Sequence, residues 1–281
     1  MRIDLGMANG YELALQVVRA APQLEDMGFD GLWMSEHIIS TAEYAKRDYG
    51  PYWMETLSTL AHLAGITKKV RLGTSIMVAP YRNPVIMAKT VATIDQLSGG
   101  RVDLGVGTGW SLEEFMALGL AHCYTERGAL TNEVLEVALA CWQGGDKVSW
   151  QGKYFNFQDI TFQPRPAQAK LPLWVGGNKP IQGPLRRIAR FADVWHASQL
   201  KPEKLKAMGE QIDEFAGRKV PRSTRLPIAK GTSLSEVCDK IVAHRDVGGC
   251  MQVRVDFRTT DLADFMRCCE ELATQLPALR A

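Results

Sequence analysis

The sequence predicts an α/β fold, a (β/α)8 TIM barrel carrying a hairpin inserted in mid-chain. Three observations lead there. Strand-like apolar runs and helix-periodic segments alternate eight times along the 281 residues, the pattern of consecutive parallel βαβ units. A chain of this length with 46% apolar residues can bury a barrel-sized core. The rhythm breaks over residues 144–166, where KVSWQGKYFNF and ITFQPRP are extended, alternating and aromatic, as in a hairpin. The expectation is one barrel domain over residues 1–281 with an insertion at about 144–170. A doubly wound open sheet is the alternative, because periodicity does not show closure.

In order, residues 2–7 alternate as a first strand, and Leu13, Val17, Ala21 and Leu24 then recur at helical spacing up to Gly28. Pro22 lies inside this helix, where it costs about 3 kcal/mol, so a kink or a restart is expected there. Residues 31–36 (GLWMSE) form the second strand and 57–64 its helix. The connection between them is long and carries Tyr44, Tyr49, Tyr52 and Trp53, and loops of that length are usually functional. The third strand is 71–78 (RLGTSIMV); its helix is started by Pro84 and stopped by Ser98, Gly99 and Gly100. The fourth strand, 102–106, runs into Gly105, Gly107 and Gly109, after which Ser111 and Glu114 have capping-box spacing. A helix over 130–142 precedes the hairpin. Residues 171–175 (LPLWV) resume as strand five, and Leu185, Ile188 and Ala192 mark its helix. Strand six (193–197), a helix (202–217), a weak strand seven (225–230), a helix (233–247), strand eight (250–257) and a helix with Leu262, Phe265, Met266, Cys269 and Leu272 on one face complete the chain.

Composition removes several function classes. The net charge is +2, from 33 basic and 31 acidic residues, which provides no field for nucleic acid or an anionic membrane. No apolar run approaches the ~20 residues that span a bilayer, and the N-terminal residues lack a signal-peptide pattern. Six cysteines contain no C-x-x-C pair, so neither a zinc site nor a disulfide framework is indicated. The expectation is a cytoplasmic protein whose partners are a small-molecule substrate and a second copy of itself, as a homodimer.

In a barrel the site is built at the C-terminal ends of the strands. This selects Met7, Glu36 and His37, the stretch 75–81, Thr108 to Trp110, Gly176 to Asn178, and Trp195 to Ser198. The set is aromatic and glycine-rich, with Glu36 as its main carboxylate. Paired-carboxylate hydrolysis and metal centres lack their ligands, there is no G-x-S-x-G elbow, and G-x-G-x-G in mid-chain is not the dinucleotide fingerprint. Gly105, Gly107 and Gly109, at spacing two, leave three of five residues at the end of strand four without a Cβ, which favours close approach by a bound group such as a phosphate. What fits these constraints is a large, planar, phosphorylated cofactor.

At this point the segments GFDGLWMSEH (28–37), VRLGTSIMVAPYRNPVIMAKTVATIDQLSGGRVDLGVGTGW (70–110) and LPLWVGG (171–177) resemble the luciferase-like flavin oxidoreductases. The resemblance spans about residues 28–198 and includes TERGALTNEVLE. It implies a barrel with a mid-chain insertion and either reduced FMN or the deazaflavin coenzyme F420. The LGTS-x-x-V strand and the GVGTG run look closer to the F420-using branch. It also implies a non-prolyl cis peptide at Ser75 and Ile76 behind the ring system, with Thr108, Gly109 and Trp110 along the cofactor's tail and ring edge. Gly176, Gly177 and Asn178 match a phosphate loop, Met7, Gly107 and Val175 belong to the same cofactor-binding set, and His37 matches the position beside the reactive ring. Trp110 stands where sugar-phosphate dehydrogenases of the family carry an acid, which argues against a sugar-phosphate substrate. Glu113 and Glu114 are assigned to capping the helix or pairing with Arg127.

Several roles have two readings. His37 is a redox-site acid or base, or a loop hydrogen-bonding group; Glu36 accepts backbone amides or polarises His37. Arg82, Trp53, Trp195 and His196 are candidate substrate contacts, and the cluster from Tyr49 to Trp53 is a lid or a dimer contact. The expected function is F420-dependent hydride transfer with a small organic substrate. The alternatives are an FMN-dependent monooxygenase using oxygen and a non-catalytic flavin-binding protein.

Overall fold

The computed structural model describes residues 1–45 and 50–281; Tyr49 of the predicted aromatic cluster lies outside them. Eight parallel strands form the barrel: β1 (Arg2–Gly6), β2 (Gly31–Met34), β3 (Arg71–Thr74), β4 (Val102–Gly107), β5 (Leu173–Gly176), β6 (Val194–Ser198), β7 (Arg222–Ile228) and β8 (Cys250–Phe257). Each pairs with its neighbour in sequence. The ring closes because β8 pairs with β1, with Leu5 opposite Val255. The barrel, rather than the open sheet, is therefore the observed fold.

The third strand is not continuous. A cis peptide between Ser75 and Ile76 separates β3 from a two-residue continuation, Met77–Val78, which pairs with the end of β4. The helical segment after β1 also restarts as expected, as Ala14–Arg19 and Ala21–Asp26, with Pro22 in the first turn of the second piece. There proline removes no intrahelical hydrogen bond. Strand β7 begins at Arg222, three residues before the expected start. A short unpredicted helix, Leu276–Arg280, packs on β1; its Pro277 sits in the first turn, where it starts a helix instead of breaking one.

The hairpin pairs Val148–Gln151 with Asn156–Ile160. It is tied down by Glu133 of the preceding helix (Arg127–Gln143), whose buried carboxylate accepts the backbone N–H groups of Lys153, Tyr154 and Phe155 and the Trp150 indole.

The strands separate two environments by their period of two. Residues such as Leu5, Leu32, Leu72, Leu104, Val175 and Val255 face outward into the shell of helices, are fully buried and form the main core. Burying each contributes about 1.5–3 kcal/mol. The interior of the barrel is polar. Arg2 of β1 bonds Asp103 of β4, Ser75 beyond β3 meets His196 of β6, and Arg254 of β8 reaches Ser35 beyond β2. None of these pairs is on adjacent strands, so the bonds cross the interior. Its apolar filling is a separate small cluster of Trp33, Trp174 and Val194. Gly73 makes room for it, because a Cβ there would lie 2.2 Å from the Trp33 ring. Among the described residues no helix is long and apolar enough to cross a membrane.

Candidate functional site

A cavity of about 650 Å3 opens at the C-terminal ends of the strands, where a barrel places its chemistry. Of the residues singled out from the sequence, Glu36, His37, Trp53, Ser75, Ile76, Gly107, Thr108, Gly109, Trp110, Gly176, Gly177, Asn178 and His196 line it.

His37 follows β2 and is wedged among aromatic rings, its centroid 4.2 Å from Tyr44, 4.5 Å from Trp53 and 5.8 Å from Trp110. Its Nδ1 lies 3.0 Å from Glu114 Oε2. Glu114 belongs to the helix Leu112–Ala117, which Ser111 caps by accepting the Glu114 N–H at 3.3 Å. Only that half of the capping box forms: the Glu114 side chain turns into the cavity wall and is buried. It also accepts the Ile38 N–H at 2.6 Å, the Tyr81 hydroxyl at 3.0 Å and the Tyr44 hydroxyl. Burial raises its pKa, but His37, Tyr44 and Ile38 outweigh burial and hold it below the usual carboxylate value. Burial, and then this carboxylate, push both phenols well above theirs. Glu114 is thus an ionised acceptor, so His37 Nδ1 carries the proton it shares with that carboxylate.

This corrects the assignment of Glu114 to helix capping or to Arg127. Arg127 instead donates to the carbonyls of Gly109 and Tyr124, and Glu113 accepts from Ser111 Oγ at 3.0 Å. Nothing in the sequence marked Glu114 as a site residue, because the S-x-x-E spacing already had a local explanation.

Glu36 fits the structural reading. Its Oε2 accepts the Val78 N–H at 2.7 Å, and both oxygens bind the Arg82 guanidinium, at 2.9 and 2.6 Å; the carboxylate that faces His37 is Glu114. Arg82 is held away from the cavity by Glu36 and Glu55, which corrects its placement as a substrate contact. Trp195 is fully buried and spends its indole N–H on the Gly177 carbonyl at 2.8 Å; it shapes the loop after β5 from behind. Met7 and Val175 are fully buried outside the cavity wall, so their expected cofactor contacts are corrected as well. Asn178 lines the cavity, but its amide bridges to the backbone of Ser198 at 2.5 and 3.0 Å and fixes the loop after β5 to the end of β6.

The glycine run also has an internal cause. A Cβ on Gly105 would lie 1.8 Å from the Thr74 carbonyl oxygen, and one on Gly107 would lie 1.8 Å from Ile76 Cδ1. Gly109 has φ +73° and room for nothing larger beside Val78 and Phe115. What approaches this backbone is therefore the Thr74 to Val78 segment of the protein itself. Gly107 still lines the cavity, with Ile76 in front of it.

His196, on β6, lies on the cavity floor. Its Nε2 is 2.6 Å from Ser75 Oγ and its Nδ1 2.7 Å from Ser223 Oγ, and the ring stacks on Trp33 at 5.4 Å. Burial, then the Arg254 and Arg225 guanidiniums, push its pKa down to about 3, against the opposing pull of Asp256. Arg225, paired with Asp256, also lines the cavity, as do Lys179 and Gln199. Sequence reasoning missed Arg225; the alternation of RSTRLPI puts it on the inner face only once β7 is known to start at Arg222.

A family model for luciferase-like monooxygenases matches residues 4–247. The chain belongs to the luciferase-like monooxygenase family. Relatives of this luciferase-like chain include the F420-dependent glucose-6-phosphate dehydrogenase of Amycolatopsis mediterranei. That protein is 31% identical over 178 residues, which are 63% of this chain and 50% of the relative. The chain thus spans about half the length of the curated relatives it matches. The luciferase-like fold is shared over 100% of the chain with an F420-dependent secondary alcohol dehydrogenase bound to an F420-acetone adduct (99% of that chain, TM-score 0.84, 18% identity). It is shared equally with an FMN-bound type II Baeyer-Villiger monooxygenase from Pseudomonas putida (100% and 99% of the two chains, TM-score 0.81, 15% identity).

Proposed function

We propose that the protein is an oxidoreductase that uses coenzyme F420 to exchange a hydride with a small organic substrate. The observation that carries this reading is the His37–Glu114 pair, 3.0 Å apart and opening into the cavity. The F420-dependent relatives support the choice of coenzyme.

The residues present fit such a group. The volume suits a fused ring with a phosphorylated tail. Ile76, Gly107 and Gly176 offer a wall without polar side chains, while Lys179, Gln199 and Arg225 bring charged and polar groups to the lining. When bound, the coenzyme supplies the hydride donor or acceptor.

The chain supplies proton handling, orientation and exclusion of water. His37, at the cavity wall, takes the proton of a substrate hydroxyl as it becomes a carbonyl, or returns it in the reverse direction. Glu114, held ionised behind the ring, keeps Nδ1 protonated and stabilises the imidazolium that forms. Trp53 and Trp110 flank the ring and keep water from it.

Fluorescence titration of the purified protein with F420, and separately with FMN, tests the reading. Binding of F420 tighter than about 0.1 mM, roughly −5.5 kcal/mol, is expected, and failure of both to bind overturns it. The FMN-bound neighbour of the same fold favours a second reading, an FMN-dependent monooxygenase. Oxygen uptake with reduced FMN would support that reading against the first.

A further inference from the structure

Ser75, His196 and Ser223 form a chain of hydrogen bonds whose ends determine its direction. Ser75 Oγ lies 2.6 Å from His196 Nε2, His196 Nδ1 lies 2.7 Å from Ser223 Oγ, and Ser223 Oγ lies 3.3 Å from the Trp195 carbonyl oxygen. A carbonyl oxygen only accepts; with the one Ser223 hydroxyl proton directed to Trp195, the Ser223 oxygen accepts from Nδ1–H. Arg254 and Arg225 face the imidazole, with Asp256 between them and the Trp33 and Trp174 rings on its flanks. This mostly cationic, dry setting keeps the ring neutral, with a single N–H. That N–H is at Nδ1, which leaves Nε2 to accept the Ser75 hydroxyl proton. Ser75 has no second proton, and its backbone carbonyl is held by Arg254 at 3.2 Å. Toward the cavity the Ser75 side chain can therefore offer only lone pairs.

We infer that His196 is a positioning residue that fixes Ser75 as a pure hydrogen-bond acceptor in the cavity floor, so that the molecule seated on Ser75 and Ile76 is recognised through an N–H or O–H on its edge. The ligand class that follows is a nitrogen heterocycle with a ring N–H turned to the floor, not one presenting only carbonyl or unprotonated ring nitrogens there. For the identity of that heterocycle the inference rests on the hydride-carrier reading above. The direction of the chain does not depend on it. His196 thereby changes from a candidate substrate contact into a group that acts through Ser75.

Two measurements test this. In protein labelled with 15N-histidine, the His196 ring signals, assigned by their loss in His196→Gln, are expected to show Nδ1 protonated and Nε2 bare at pH 7. A proton on Nε2, or on both nitrogens, overturns the inference. F420 titrated by fluorescence is expected to bind Ser75→Ala about tenfold more weakly than wild type, the equivalent of one neutral hydrogen bond. His196→Asn, whose shorter amide no longer reaches Ser75, is expected to weaken binding similarly. His196→Gln, long enough to place an amide oxygen near the Nε2 position, is expected to stay within about twofold of wild type. Wild-type affinity in Ser75→Ala refutes the acceptor role. If wild-type protein binds no F420 at all, the hydride-carrier reading fails, while the 15N signals still decide the direction of the chain.

Discussion

Replacing His196 with glutamine should flatten the acid side of the stability curve. In the native protein the imidazole stays neutral down to a pKa of about 3, whereas in the unfolded chain it titrates near its ordinary 6.5. Between those values the unfolded state binds a proton that the folded state refuses, so stability falls as pH falls through this window. Each pH unit is worth about 1.36 kcal/mol; at pH 4.5, two units below 6.5, the loss from this one residue reaches about 2.7 kcal/mol. That is a large part of the roughly 5–15 kcal/mol that holds a domain folded. Urea denaturation at pH 7 and pH 4.5 measures it. Carboxylates contribute to both proteins alike, so the difference between the two drops isolates His196. The wild-type drop should exceed that of His196→Gln by about 2.7 kcal/mol. Equal drops would show that the imidazole takes up a proton when folded, and the account of its surroundings would be wrong.

Glu114→Gln should leave F420 binding within about twofold and slow the hydride-transfer step about a hundredfold, the scale of a positioned acid or base; stopped-flow absorbance of the coenzyme follows it, and an unchanged rate would remove Glu114 from the proton path. Because the folded pKa of Glu114 is depressed, the wild-type step should hold its rate above the ordinary carboxylate range and lose it only at lower pH; a rate already falling near neutrality from loss of this carboxylate's charge would contradict the depressed value. Glu36→Gln leaves Arg82, 15% exposed at its side chain, with Glu55 as its charged partner, and should cost about 2–3 kcal/mol, read as a fall in Tm of roughly 5–10 °C; an unchanged Tm would show that Arg82 does not depend on Glu36. Gly107→Ala places a Cβ against Ile76 Cδ1 and should destabilise by about 1–3 kcal/mol, with Ile76→Val, which lacks that atom, restoring most of it; additive effects in the double variant would refute the contact.

The barrel was legible because eight repeats of strand and helix are a long-range pattern that local exceptions do not erase. The side a residue faces was less legible. A strand end displaced by one position exchanges inside for outside, and so Val175 and Met7 were expected at the cavity while Trp174 and Gly6 occupy the inner positions beside them. The aromatic and glycine positions after β2, β4 and β5 were found because strand ends are marked by composition. Glu114 and Arg82 could not be read, since their partners, His37 and Glu36, lie 77 and 46 residues away in sequence, and each had a plausible local role. The glycine run was recognised as a place of close approach, but sequence alone does not say whether a ligand or a neighbouring strand makes the approach.

The division of the barrel wall into an outer apolar face and an inner one where most of the polar groups gather lets the protein vary two properties separately. Substitutions at Leu32, Leu104 or Val255 act on the fit between barrel and helices, and hence on how firmly the chain folds. Those at Ser75, His196, Arg225 or Arg254, sometimes a single residue away, act on the charge and proton inventory beneath the cavity and leave the apolar shell intact. A lineage with this architecture can therefore trade one ligand chemistry for another by drift at alternate positions, with the scaffold buffered against the exchange.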